Sequence, residues 1–165
     1  MNQPPAFEDE VAALLPRLRR FAHALARSPS DADDLAQMTV ERALRSKDRW
    51  QPGSRLDSWL YTVMRNLWID TVRSRSRREK SEAPEVEAAT LGHDPSEAVH
   101  AAIELKRVMA AMQRLPEEQR EVVALILVEG FGYRETAEIL ELPIGTVSSR
   151  LVRGRTALLA MLGEP

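Results

Sequence analysis

Arg134-Glu135-Thr136-Ala137-Glu138-Ile139-Leu140-Glu141-Leu142-Pro143-Ile144-Gly145-Thr146-Val147-Ser148-Ser149-Arg150-Leu151-Val152-Arg153 is the stretch that decides the fold. Arg134 to Leu140 reads as a short helix with Ala137 small on its inner side. Leu142-Pro143-Ile144-Gly145 reads as a turn, and Thr146 offers a hydroxyl to cap a second helix running to about Leu158. On that second helix Val147, Leu151 and Leu158 fall on one side; Ser148, Ser149, Val152, Arg153 and Thr156 fall on the other. This is a helix-turn-helix pattern, whose second helix can lie in the DNA major groove. Arginine can bond guanine twice, serine can reach several base edges, and valine can meet a thymine methyl. An αα-hairpin with a solvated outer face has the same pattern.

Upstream, the chain repeats the helical period. Pro116 opens a helix with Glu117 and Glu118 on its positive end, and Val122, Val123, Leu125 and Ile126 supply its apolar content. Gly130 and Gly132 end it. Val99, Ala102, Ile103, Met109 and Met112 mark the helix before. Near the N-terminus Val11, Leu14, Leu15, Leu18, Phe21, Ala22 and Leu25 recur at helical spacing, and Pro16 predicts a kinked helix or two short ones. Ser30-Asp31 predicts the start of the next helix, with Ala36, Val40, Ala43 and Leu44 on one face. After a loop with Pro52 and Gly53, Leu56, Trp59, Leu60, Val63, Met64 and Leu67 make a third stripe. No segment alternates with period two. The expected fold is all-α: two small helical domains, 1–78 and 96–165, joined by a flexible linker over 79–95 that is acidic and carries Pro84, Gly92 and Pro95.

Composition narrows the function. The 165 residues are 44% hydrophobic and 29% charged, and they include no cysteine. That excludes disulfide scaffolds, thiolate zinc sites and cysteine nucleophiles, and it suits a reducing, cytoplasmic compartment. No apolar run reaches the ~20 residues that span a bilayer, so no membrane insertion is expected. Met1 to Glu10 is acidic and lacks the apolar centre of a signal peptide. The net charge of −2 hides an asymmetry. Arg73, Arg75, Arg77, Arg78 and Lys80 stand against one acid, Glu79, and Arg150, Arg153 and Arg155 form a second basic cluster. Two basic patches in an acidic background point to selective contacts with a polyanion, or to solvated helix faces.

Leu115-Pro116-Glu117-Glu118-Gln119-Arg120-Glu121-Val122 followed by Gly145-Thr146-Val147-Ser148-Ser149-Arg150-Leu151 resembles region 4 of bacterial sigma factors. Asp31-Ala32-Asp33-Asp34-Leu35-Ala36-Gln37 resembles region 2.2. Trp59-Leu60-Tyr61 with Arg65-Asn66 and Asp70 resembles regions 2.3 and 2.4. Order and spacing resemble the extracytoplasmic-function group of the sigma-70 family, which keeps only regions 2 and 4. Trp50-Gln51-Pro52-Gly53-Ser54 resembles its general-stress branch.

The resemblance implies a promoter-specificity subunit with a stress or environmental role. Its partners would be core RNA polymerase (the β′ clamp helices and the β flap), promoter DNA and an anti-sigma factor. Asp34, Gln37, Met38 and Glu41 match the polymerase-binding face of region 2.2, where Met38 has the apolar character of an interface anchor. Trp50 and Asn66 match the −10 base contacts, a flat wall and an amide for an exposed base edge. Arg65, Arg73, Arg75, Arg77 and Arg78 would meet phosphates. Trp59 lies on the apolar stripe and reads as core; Tyr61 and Trp68 stay open between core and base stacking. Ser148, Ser149, Val152 and Arg153 match −35 base-facing positions; Thr146, Arg150 and Arg155 suit phosphates. Three positions depart from the family pattern: Ser148 is often basic there, Glu141 often glycine and Thr136 often isoleucine. The last two imply an altered turn and weaker packing of that helix.

Two other classes compete. A stand-alone helix-turn-helix regulator needs neither the basic N-terminal helix nor the acidic 2.2-like one. A DNA-processing enzyme needs a nucleophile or a carboxylate metal cluster, and Asp31, Asp33 and Asp34 at a helix start suit capping and partner contact better. His23, His93 and His100 lie too far apart for a zinc motif. No catalytic residue, metal or cofactor is expected.

Overall fold

The computed structural model describes residues 6–79 and 97–163, with side chains over 6–77 and 102–163. The 79–95 linker expectation therefore falls almost wholly outside the described residues, as do the side chains of Arg78, His93 and His100. The described residues form seven α-helices and no strand. In chain order these are α1 (Phe7–Leu25), α2 (Pro29–Arg45), α3 (Leu56–Glu79), α4 (Glu97–Arg114), α5 (Glu117–Val123), α6 (Tyr133–Leu140) and α7 (Ile144–Leu162). A 3₁₀ turn, Lys47–Arg49, follows α2, and a π-helical turn, Ala124–Val128, continues α5.

The helix starts follow local chemistry, with small corrections to the sequence reading. α1 is one helix that runs through Pro16. Proline removes the bond to the Ala12 carbonyl, but both residues face solvent, so water can serve that carbonyl. α2 begins two residues before the expected Ser30-Asp31: Ser28 caps it by accepting the Asp31 N–H at 3.1 Å, and Pro29 presets the first turn. Leu44, expected on the inner face, is exposed, whereas Thr39 is buried and donates its hydroxyl to the Leu35 carbonyl at 2.8 Å. α7 starts at Ile144 with Pro143 as its cap, so Thr146 lies in the first turn and is not the cap.

Helices α1–α3 bury Leu18, Phe21, Leu25, Leu35, Leu60 and Met64. Helices α4–α7 and the π-helical turn bury Met112, Val122, Leu125, Ile139, Leu140, Val147 and Leu151. These belong to one continuous buried cluster. Tyr61 forms the joint, with its ring 5.0 Å from Phe21 on one side and 5.0 Å from Phe131 on the other. Within the second unit, Gly154 lets α7 lie directly on α5: a Cβ there would sit 2.8 Å from Val123 Cγ2 and 3.2 Å from Gln119 Cβ.

Candidate nucleic-acid interface

The residues assigned from sequence divide into an open set and an engaged set. On α2, Asp34, Gln37, Met38 and Glu41 all face solvent, opposite the buried Ala32, Leu35, Ala36 and Ala43. Gln37 donates to Glu41 at 3.2 Å, and Met38 is 42% exposed, an apolar side chain in a polar strip. On α7, Ser148, Ser149, Val152, Arg153 and Arg155 are exposed, while Thr146 and Arg150 are half-buried at its flank. Val152 is 62% exposed. Ser149 Oγ donates to the Thr146 carbonyl at 3.1 Å and Arg153 Nε to the Ser149 carbonyl at 3.3 Å, so the two side chains lie along their own helix.

The helix-turn-helix corner contains a strained residue. Glu141 has φ 53° and ψ 46°, the left-handed conformation that costs an ordinary residue roughly 1–2 kcal/mol. Among the described residues it is the one non-glycine with positive φ. Earlier on α6, Thr136 is fully buried, and its hydroxyl has no hydrogen-bond partner. Both observations match the two departures noted in the sequence.

The −10 set, on α3 and the loop before it, is partly engaged by the chain itself. Trp50 is half-buried, 5.5 Å from the Phe7 ring, so it covers the start of α1. Tyr61 and Trp68 are buried, which places both in the core and leaves neither ring face open for stacking here. The Trp68 indole donates to Glu117 at 2.8 Å. Arg65 is half-buried, with Nε 3.9 Å from Glu121 Oε1. Arg75 holds Asp31 in a two-pronged ion pair that keeps the Asp31 carboxyl below its ordinary range. Asn66, Arg73 and Arg77 are exposed, and Arg77 donates to the Arg73 carbonyl at 3.3 Å.

Between the two units runs a seam of charged groups that the sequence reading did not single out. The Glu129 side chain is 0% exposed. It accepts the Tyr61 hydroxyl at 2.6 Å, Arg17 Nε at 3.2 Å and Arg20 Nε at 3.2 Å, and its own carbonyl accepts Arg17 Nη2 at 3.2 Å. Burial, then the bond to Glu129, pushes the Tyr61 phenol upward, so it stays a proton donor. Arg55 pairs with Glu135 and Asp57 and lies over the Phe131 ring at 5.3 Å. Gln113 donates to the His23 and Ala26 carbonyls at 2.9 and 2.8 Å, and Arg120 reaches Leu25 at 3.4 Å, so the second unit caps the end of α1. Burial pushes the Glu121 carboxyl up to about 7, against the pull of Arg65. Apart from Arg55 and Asp57, these pairs are tens of residues apart in sequence and join the two halves. The only local hint was an acid, Glu129, closing the apolar run Val122 to Val128.

Among the described residues no three His, Cys, Asp or Glu side chains gather as a metal site requires, and no helix is long and apolar enough to cross a membrane.

Comparison with known proteins places the chain in a family. Residues 11–78 match the family model for sigma-70 region 2, and residues 105–158 match that for sigma-70 region 4. The chain is 40% identical over 157 residues to the ECF RNA polymerase sigma factor EcfG of Rhodopseudomonas palustris, covering 95% of this chain and 85% of that one. The chain belongs to the ECF RNA polymerase sigma factors. The RNA polymerase sigma factor CarQ of Myxococcus xanthus is 33% identical over 165 residues, covering 96% and 90%. Among solved structures, the sigma factor RpoE of Bartonella quintana, crystallised with the anti-sigma factor NepR, superposes with a TM-score of 0.83 at 32% identity, covering 95% and 96%. Helices α1–α3 are thus the region 2 unit of this sigma factor and α4–α7 its region 4 unit, the latter carrying the helix-turn-helix.

Proposed function

We propose that this sigma factor directs core RNA polymerase to promoters of a stress or environmental response and works in the cytoplasm beside the polymerase. The open face of α7 supports this reading most. It shows solvent the side chains a −35 major-groove reader needs: Ser148, Ser149, Val152 and Arg153, flanked by Thr146, Arg150 and Arg155 for phosphates. Asp34, Gln37, Met38 and Glu41 on α2 form the face for the β′ clamp helices, and the region 4 unit takes the β flap. Trp50 and Asn66 read the −10 element, and Arg65, Arg73, Arg75, Arg77 and Arg78 hold its phosphates once α3 is released. The Bartonella RpoE was solved in complex with the anti-sigma factor NepR, and an anti-sigma protein is the partner proposed to restrain this chain. The subunit supplies recognition and performs no bond chemistry of its own.

Run-off transcription with core polymerase on a genomic promoter library tests the reading. Defined starts that depend on the added chain are expected, and starts no different from core alone refute it. In the same assay Asn66→Ala lowers initiation on intact templates more than on pre-melted ones, if its amide pairs with an exposed −10 base. A stand-alone regulator would instead bind duplex promoter DNA without polymerase.

A further inference from the structure

A cleft lined by four arginines lies where the α1–α2 connection, the second half of α3 and the start of α5 meet. Its inner part, about 140 Å³, is lined by Arg27, Arg75, Ser76, Glu117 and Arg120, with Trp68 as a wall. A more open outer part shares Arg27, Glu117 and Arg120 and adds Gln113 and Arg114. Arg75 is assigned to DNA above; Arg27, Arg114 and Arg120 have no assigned role.

The charges in the cleft do not balance. Glu117 is the one carboxylate among its lining residues, and it is occupied by the Trp68 N–H at 2.8 Å. Arg75 is paired with Asp31. Among the described residues Arg27, Arg114 and Arg120 form no ion pair. Arg120 is the costly one, because it is only 4% exposed. It donates to the Gln113, Leu115 and Leu25 carbonyls at 3.2, 3.4 and 3.4 Å, yet its Nε is buried without a partner. Burial holds this guanidinium below its ordinary range; Glu117 opposes the shift and Arg27 adds to it. Gln113 Oε1 is a second buried atom without a partner. A buried cation with no anion, beside unpaired polar atoms, is the signature of a site that an ion completes.

Size and charge select the ion. A space of about 140 Å³ holds on the order of ten waters, and a drug-sized ligand needs about 300 Å³ or more. The inner part therefore takes a compact head group. Four guanidiniums set against Glu117 and Asp31 leave a surplus of two positive charges. A phosphate group carries about −1.5 to −2 at neutral pH, and the planar guanidinium fork matches its oxygens. The Ser76 hydroxyl adds a neutral donor.

We propose that this cleft is a binding site for a phosphate or diphosphate group, held by Arg27, Arg120 and Arg114 and opposed by Glu117. The group is either a free inorganic anion or the head of a small phosphorylated molecule whose remainder lies in the outer part. The site is a property of the free chain and is independent of the promoter reading.

Titration calorimetry on the full chain at constant ionic strength, with sodium phosphate, sodium pyrophosphate and adenosine diphosphate, tests the site. Saturable pyrophosphate binding is expected. Similar affinity for the nucleotide assigns the site to phosphorylated small molecules, and pyrophosphate binding alone assigns it to the inorganic anion. Arg27→Gln and Arg120→Gln are each expected to weaken binding at least tenfold. Arg27 is exposed, so its variant keeps the test sound if the buried Arg120 variant misfolds. Glu117→Gln still accepts the Trp68 N–H and is expected to tighten binding severalfold. Arg107→Gln removes an equal charge outside the cleft, where Arg107 pairs with Glu104, and is expected to change nothing. No saturable binding of any of the three anions below about 1 mM, or unchanged affinity in Arg27→Gln, overturns the site. A short DNA duplex that displaces pyrophosphate, and loses its own binding in Arg27→Gln, overturns it as well and makes the cleft a contact for the DNA backbone.

Discussion

Helices α3 and α7 carry the two sets of residues proposed to read DNA, and they stand in opposite conditions. The outer face of α7 is open, its serines and arginine bonded only along their own helix. On α3, Trp68 is buried, Arg65 faces Glu121 and Arg75 grips Asp31. A family likeness gives both helices the same kind of task, whereas packing gives them different readiness. The lesson is energetic. A polar side chain on an open face adds little to folding, so its loss is felt in binding. A polar side chain in the seam contributes to both.

The comparison is broken most directly at Glu129. Glu129→Ala leaves Arg17 and Arg20 without their buried partner and the Tyr61 hydroxyl without an acceptor. A loss of about 3 kcal/mol or more in urea unfolding is expected. Ser149→Ala on the open face should change the same midpoint by less than about 0.5 kcal/mol. Similar losses in both would erase the distinction.

Glu121 sharpens it through pH. Arg65 from α3, Arg150 from α7, and Glu117 and Arg120 from its own helix act on this carboxyl, but burial dominates and lifts it from 4.5 to about 7. The folded chain therefore holds this proton more tightly than the unfolded chain does. Stability from this group is highest below about pH 4.5 and declines as pH rises through about 7. Glu121→Gln removes the decline and should be the more stable protein at pH 8 by on the order of 1–3 kcal/mol, with little difference at pH 5. Asp31 and Asp57, both held below the ordinary carboxylate range, act at lower pH and leave this window clear.

On the open side, Arg153→Ala should cost about 1–3 kcal/mol of discrimination at one −35 position, read from holoenzyme binding to a panel of substituted promoters. Arg75→Ala should weaken all sequences alike and reduce the salt slope by about one. The same profile and slope for both would merge the two readers again.

The smallest expected effect lies in the helix-turn-helix. Thr136→Val removes a buried hydroxyl that lacks a partner while keeping the shape, and should raise stability by about 1 kcal/mol in thermal unfolding.

The helices, the helix-turn-helix and the exposed faces of α2 and α7 were legible because each depends on neighbours three or four positions away. Local signals also located two irregular positions: Glu141 and Thr136 depart from the family pattern, and one is strained and the other unsatisfied. The seam was not legible. Glu129 lies 112 residues from Arg17 and 68 from Tyr61, and no periodicity links them. Trp68 remained open in the sequence because the partner of its indole N–H, Glu117, lies in the other half of the chain. Gly154 gave no local signal either, since its small size matters only against Val123.

The contact between Tyr61 and Phe131 carries a thermal consequence. Opening the molecule exposes both rings to water, so the transition has a positive heat capacity and its free energy is curved in temperature. The packed joint has a temperature of greatest stability, because apolar attraction across it fades on cooling while chain entropy favours separation on heating. Any loosening of the joint at Tyr61 would therefore be favoured by cold as well as by heat.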